Sequence, residues 1–356
     1  VLDDKLFITK ALSGDYSNLV GYQIVSINNK PANDILQIIE SKIPADKGIN
    51  TKRTRSIDAL FSYYYSVYIE NTHEFDIILL TSKDQKMHIK VEAIAWDKDN
   101  MFHSPGEYAA SRTPITYVIN NNIAELTIAT FGARNFKRQN IVFKDTIAKI
   151  FQELNDKGIK NLIIDLRGNN GGSLSYGELL FSYLAKEEVL FYKGNVMNAD
   201  VAEGNFKYKK LPRFLTMFEK ELGPLQKENG QYIIPTDSLA AQQPHFSGKV
   251  YFLTDGLSFS STSNFLALCK ANNIGTIVGE TPGGAYQGCN AGGSINVVLP
   301  YTGFNLYFYI IGIRLNVEEQ PYQIDIDYKI PLSIQDLTDE KIDKPKEFIM
   351  ELIRKN

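Results

Sequence analysis

The chain is poor in the residues that most often mark a function. Two cysteines, Cys269 and Cys289, occur in 356 residues, with no CxxC pair and no Cys/His cluster. A disulfide framework and a zinc site are excluded as organising features, so no metal and no cofactor is expected. Histidine is scarce as well: His73, His88, His103 and His245 are the four available, which leaves few places from which imidazole chemistry can be drawn. Basic residues are not in excess, 38 Lys and Arg standing against 41 Asp and Glu for a net charge of -3. No segment gathers them, so nucleic acid is not an expected partner. Long apolar runs are missing too; the run Leu306 to Ile313 stops at Arg314, well short of the roughly 20 residues that span a bilayer. The opening Val1-Leu2-Asp3-Asp4-Lys5 has neither the basic start nor the apolar centre of a secretion signal.

What the chain does have is an ordinary globular composition, 44% hydrophobic and 22% charged, at a length that usually divides into about two domains. Residues 1–98 read as a small β-rich module. Short strand-like runs Phe7-Ile8-Thr9, Ile24 to Ile27, Ile77 to Leu80 and His88 to Ala93 surround one helical stretch, Asp34 to Ser41. Pro44 to Tyr65 fits no element of that module. A polar segment, 99–115, reads as a linker. Residues 116–356 then alternate strand and helix. Ile123 to Phe131 reads as a strand. Phe143, Ile147, Ile150, Phe151 and Leu154 recur at helical spacing up to a stop at Gly158, and Asn161 to Leu166 reads as a buried strand. After an insertion-like stretch at about 186–247 the pattern repeats: Val250 to Thr254, Ser261 to Asn272, Thr276 to Gly279. Two such crossover units imply an α/β domain.

Two constellations carry chemistry. Asp165-Leu166-Arg167-Gly168-Asn169-Asn170-Gly171-Gly172 ends a buried strand. Paired glycines there let the backbone turn N–H groups outward, as binding an oxyanion demands, although a lone Gly-Gly also makes a simple tight turn. Thr254 to Leu266 leaves a second buried strand through Asp255-Gly256-Leu257-Ser258-Phe259-Ser260-Ser261 and enters a helix. A serine at that junction sits at the positive end of the helix dipole with an unpaired N–H beside it. Helix capping alone is the plainer reading of the same residues.

Together the two constellations resemble the C-terminal processing (tail-specific) serine peptidases, whose motif Asp-Leu-Arg-x-Asn-x-Gly-Gly matches Asp165 to Gly172. Aligned backwards from Gly279-Glu280, the family's nucleophile falls on Ser260; pairing Asn264 with the acidic residue often found on this helix moves it to Ser261. The resemblance implies an oxyanion hole from Gly171 or Gly172 with the Ser261 N–H, and a supporting place for Glu280. It also implies a crotonase-like (ClpP-like) α/β core, with Ile326-Asp327-Tyr328 similar to the family's C-terminal strand. Gly21 to Pro31 resembles the Gly-Asp-x-Ile-x-x-Ile-Asn-Gly signature of PDZ-like domains, with Tyr22 and Asn29 departing from it. Such modules take extended peptide by strand addition. A polypeptide substrate and export to a periplasm or cell surface follow from the same resemblance.

The catalytic set is incomplete. The family's Ser-Lys branch carries its lysine shortly after the Gly-Glu; here Ala285 stands near that place and cannot accept a proton. Gly283-Gly284 resembles the tricorn-like Ser-His branch, whose base lies in an Asp-Gly-His-Thr context ahead of the PDZ-like module. No such motif occurs in this sequence. The general base is therefore unknown and expected upstream of this chain, with His103 and His245 as the internal candidates. The alternative is an inactive peptide- or ligand-binding protein on the same fold.

Overall fold

The computed structural model describes residues 1–11, 14–46, 48–94, 113–203, 216, 219–221, 223–319, 322–339 and 341–355. The expected linker falls almost wholly outside them, and so does His103.

In the N-terminal region, β1 (Leu6–Phe7), β2 (Gln23–Ile27) and β3 (Lys30–Pro31) precede α1 (Ala32–Glu40) and α2 (Thr51–Tyr68), and β4 (Glu74–Leu80) and β5 (Lys86–Glu92) follow. The strands form an antiparallel sheet in the order β1-β2-β4-β5, with β3 on β2. The Asn28-Asn29 turn takes the left-handed conformation at both residues, as a tight hairpin turn requires and asparagine tolerates. Helix α1 buries Ile35, Leu36 and Ile39, and Ile57 and Tyr65 of α2 complete the same core. The segment that fits no strand pattern in sequence is thus helix α2, kinked at Leu60. Its buried face includes Arg55 and Ser56, so it carries no apolar stripe from which a helix is read.

The second region opens with β6 (Ile115–Asn120), β7 (Ile123–Ile128), α3 (Ala133–Arg138), α4 (Phe143–Asp156), β8 (Asn161–Asp165) and α5 (Leu174–Leu184). The insertion-like stretch supplies β9 (Val189–Leu190), β10 (Asn195–Asn198), α6 (Ala199–Ala202), β11 (Gln226–Glu228), β12 (Gln231–Ile234) and β13 (Ser238–Leu239). Then come β14 (Lys249–Thr254), α7 (Ser261–Ala271), β15 (Thr276–Gly279), β16 (Gly288–Val298), β17 (Asn305–Arg314), β18 (Tyr328–Lys329), α8 (Ile334–Thr338) and α9 (Lys344–Lys355). The expected stop at Gly158 is a Schellman cap. Gly158 has φ +61°, its N–H bonds Asn155 O, and the Ile159 N–H bonds Leu154 O.

The main sheet runs β18-β15-β14-β8-β7-β6. Every pair is parallel except β6 with β7. One face buries Leu162, Ile164, Phe252 and Ile277 under α4, α5 and α7. The other buries Ile163, Tyr251, Leu253 and Val278 under α9 through Ile349. Burial on both faces is why β8 and β14 read as unbroken apolar runs. Because β8 and β14 are adjacent and parallel, the loops leaving their C-terminal ends, Asp165 to Gly172 and Thr254 to Ser260, must lie side by side. Ligand sites of open α/β sheets form at such ends. A second, antiparallel sheet, β11-β12-β10-β17-β16, joins strands of the insertion to the long hairpin after β15.

Candidate active site

Ser260 is the last residue before α7 and has φ +58° and ψ -125°. A side chain disfavours that conformation by about 1–3 kcal/mol, so the surroundings must impose it. Its effect is geometric. The chain turns from the strand into the helix within one residue, the Ser260 carbonyl accepts the Asn264 N–H at 2.9 Å, and the side chain is left at the wall of a cavity of about 600 Å³. Asp46, Cys289, Asn290, Tyr309 and Arg314 line the same cavity. Ser261, the alternative from sequence, is 2% exposed and its Oγ has no hydrogen-bond partner.

The strained turn is held from behind by a buried polar network. The Asp255 carboxylate accepts the N–H groups of Gly168, Leu257 and Ser258. Ser258 Oγ donates to Leu166 O at 2.9 Å. Asn169, wholly buried, donates through Nδ2 to Ile128 O at 3.0 Å, and its carbonyl accepts the Phe259 N–H at 3.1 Å. The two loops are therefore stitched to each other as well as to the sheet. Burial pushes the Asp255 carboxyl up to about 6, with the Gly168 N–H opposing and the Glu280 charge reinforcing. The Asp and Arg of the first motif serve the structure rather than the chemistry. Arg167 spans Asp165 and Asp343 with paired hydrogen bonds of 2.6–3.0 Å, tying the loop to the start of α9.

The glycines meet the turn from the other side. Gly171 has φ +91° and Gly172 φ +145°. A Cβ on Gly171 would stand 2.8 Å from Ser260 Cβ, and one on Gly172 would stand 2.3 Å from the Phe131 carbonyl. Neither position admits a side chain. The two are not equivalent as donors. Gly171 N–H is spent on Asn169 Oδ1 at 3.0 Å, whereas among the described residues Gly172 N–H and Ser261 N–H have no acceptor. The sequence left Gly171 and Gly172 open; the hydrogen-bond pattern leaves Gly172 as the free one.

Several residues that hold the Ser260 cavity and the loops around it carry no motif. Cys289 on β16 receives Asn264 Nδ2 on its Sγ at 3.4 Å. Burial raises its thiol pKa, while hydrogen bonds from Asn264 and Ser260 work against that. Asp46 accepts the Ala285 N–H at 2.9 Å, Thr51 Oγ1 donates to Thr281 O at 2.9 Å, and Arg55 grips both carboxylate oxygens of Glu280 at 2.8 Å. Glu280 is thus engaged with α2. Lys52 lies with Nζ 3.0 Å from the centroid of the Phe259 ring, and burial lowers its pKa to about 8 against the pull of Asp46. These partners lie more than 200 residues from the loops they hold, so only the fold reveals them.

The histidines are not brought to the site. His245 precedes Lys249, the first residue of β14, while Ser260 follows the far end of that six-residue strand, about 20 Å away at ~3.3 Å per residue. His73 immediately precedes β4 and His88 lies on β5 of the N-terminal sheet, where it pairs with Asp76. Among the described residues no hydrogen bond joins Ser260 Oγ to a histidine, lysine or carboxylate. No helix among them is long and apolar enough to cross a membrane, and no cluster of potential metal ligands occurs among them.

Residues 122–291, which include both loops, match the family model described as Peptidase family S41. The chain carries a peptidase family S41 domain. It is a serine-type peptidase with a polypeptide substrate, and the resemblance read from the two motifs is borne out. Mature CPAF complexed with lactacystin shares the fold at a TM-score of 0.65 and 15% identity, covering 99% of this chain and 82% of that one. Mature CPAF matches at 0.64 and 14%, covering 99% and 81%. No curated protein matches. The S41 match favours an active peptidase over the inactive binding protein.

Proposed function

We propose that Ser260 is the nucleophile of this S41 peptidase and that the N–H groups of Gly172 and Ser261 form its oxyanion hole. The observation that carries the reading is Ser260's backbone conformation, which costs free energy and is useful only if the side chain must stand at the cavity wall. Ser260 Oγ adds to the carbonyl carbon of the scissile bond, and the carbonyl oxygen takes both N–H groups as it gains charge. One such donor is worth about 3 kcal/mol of transition-state stabilisation. The C–N bond then breaks, the amine leaves with the proton taken from Ser260, and water releases the acyl group by the reverse sequence.

The proton acceptor is a histidine brought from outside the described residues, as in the Ser-His branch. Two features support this. Cys289, the group at Ser260, is held as a neutral thiol by burial, and Ala285, near the Ser-Lys position, has its N–H bound to Asp46. The parallel sheet between two helical layers fits a crotonase-like core, and the β2–β3 hairpin with α1 fits a PDZ-like module. Export to a periplasm or cell surface is the location proposed with this family. Hydrolysis of unfolded casein by the complete gene product tests the reading. Turnover abolished by Ser260→Ala and kept by Ser261→Ala is expected; turnover kept by Ser260→Ala overturns it.

A further inference from the structure

The hairpin of β16 and β17 leaves the cavity and runs out into solvent. Tyr309, at the cavity wall, is 66% exposed, Tyr307 is 64%, Phe304 is 69% and Tyr301 at the turn is 100%. Cross-strand pairing places Ser294 opposite Tyr309 and Asn296 opposite Tyr307. Small polar neighbours leave the ring faces uncovered, whereas cross-strand partners of tyrosine usually pack against it. The same hairpin has an open side. β16 is the outer strand of its sheet, and among the described residues no strand pairs with its second edge. That edge starts beside Ser260, at Cys289, and ends at Val298, a reach of about 30 Å at ~3.3 Å per residue, with one register shift between Ala291 and Ser294. Free edges with exposed apolar surface are ordinarily blunted, because they pair with other chains.

From this we infer that the β16–β17 hairpin is the docking surface for the substrate, taking about nine residues on one side of the scissile bond as an added strand. The occupant is an extended, unfolded polypeptide segment with aliphatic or aromatic side chains at alternate positions. The β16 edge supplies main-chain hydrogen bonds, and Tyr307 and Tyr309, two residues apart and so on one face of β17, take side chains that face them, with Phe304 and Tyr301 exposed beyond them at the turn. Continuity selects this occupant, since Tyr309 and Asn290 border both the Ser260 cavity and the hairpin. The inference rests on Ser260 as the reacting group, because that fixes where the strand must begin.

The test separates the two claims by removing chemistry. Fluorescein-labelled peptides of four and fourteen residues, extended on the amino or the carboxyl side with leucine at alternate positions, are titrated against the Ser260→Ala protein by anisotropy. Extension on one side only is expected to lower Kd tenfold or more. Tyr301→Ser/Phe304→Ser/Tyr307→Ser is expected to return the long peptide to the short one's affinity. N-methylation of alternate amides in the long peptide, which leaves the protein untouched, is expected to remove the gain in one register and spare it in the other. Equal Kd for all lengths, or a gain indifferent to N-methylation in both registers, overturns the inference. A dimer seen by sedimentation that the long peptide fails to disperse, and that the triple variant abolishes, assigns the surface to a second copy and also overturns it. Length-dependent binding without phosphonylation of the wild-type serine would sink the Ser260 reading alone.

Discussion

The two sides of the Ser260 turn are built on opposite rules. Behind it, nearly every polar group is paired: Asp255 takes three backbone N–H groups, Ser258 reaches Leu166, and Asn169 joins both loops to β7. In front of it, Gly172 and Ser261 keep unpaired N–H groups and Ser260 stands in a disfavoured conformation. The difference shows where rigidity comes from. A catalytic backbone can leave donors open only if its neighbours are over-determined, since an unpaired buried group otherwise lets the loop relax.

The largest effects are expected at Ser260 and at the glycines. Ser260→Ala is expected to lower kcat on casein by on the order of 10⁴-fold or more while leaving the fold unchanged. Gly172→Ala meets backbone at 2.3 Å and is expected to destabilise by roughly 3 kcal/mol or more in urea unfolding. A smaller but still large effect belongs to the grip of the N-terminal region on the loops. Arg55→Met leaves the Glu280 carboxylate, 17% exposed, without its partner, at a cost of about 3 kcal/mol in the same assay.

Next in size is a pH effect from the paired side. The folded pKa of Asp255, about 6, lies above its ordinary value of 3.8. The folded state therefore holds the proton more tightly than the unfolded one. Stability from this group is fully present below about pH 4 and is lost as pH rises through about 6. Asp255→Asn keeps an oxygen for the N–H groups and removes the titration, so the wild type should lose stability relative to the variant across that window, measured by urea midpoints. A difference constant across that window would contradict a titrating Asp255. The smallest effect is expected for Ser261→Ala, within about 0.5 kcal/mol of wild type, because its Oγ bonds nothing.

Much of this frame is readable in the chain because its signals are local. Helix α4 shows its apolar stripe and its Gly158 stop, and β8 and β14 show the unbroken apolar runs of strands buried on both faces. The glycine motif and the serine run follow those strands directly, so their convergence needs only parallel pairing of neighbours. Helix α2 escapes because its buried face includes Arg55 and Ser56, and Arg55 is held by Glu280, 225 residues away. The unequal standing of Gly171 and Gly172 escapes for a finer reason: which N–H Asn169 consumes depends on a side-chain rotamer, and composition is blind to it. His245 looks adjacent in sequence, yet a parallel strand carries the chain to the opposite end of the sheet between it and Ser260.

The most direct measurement is peptide mapping by tandem mass spectrometry after the complete gene product reacts with a fluorophosphonate. A single adduct, on Ser260, is expected. An adduct on Ser261, or on a serine outside the Thr254 to Leu266 segment, would contradict it.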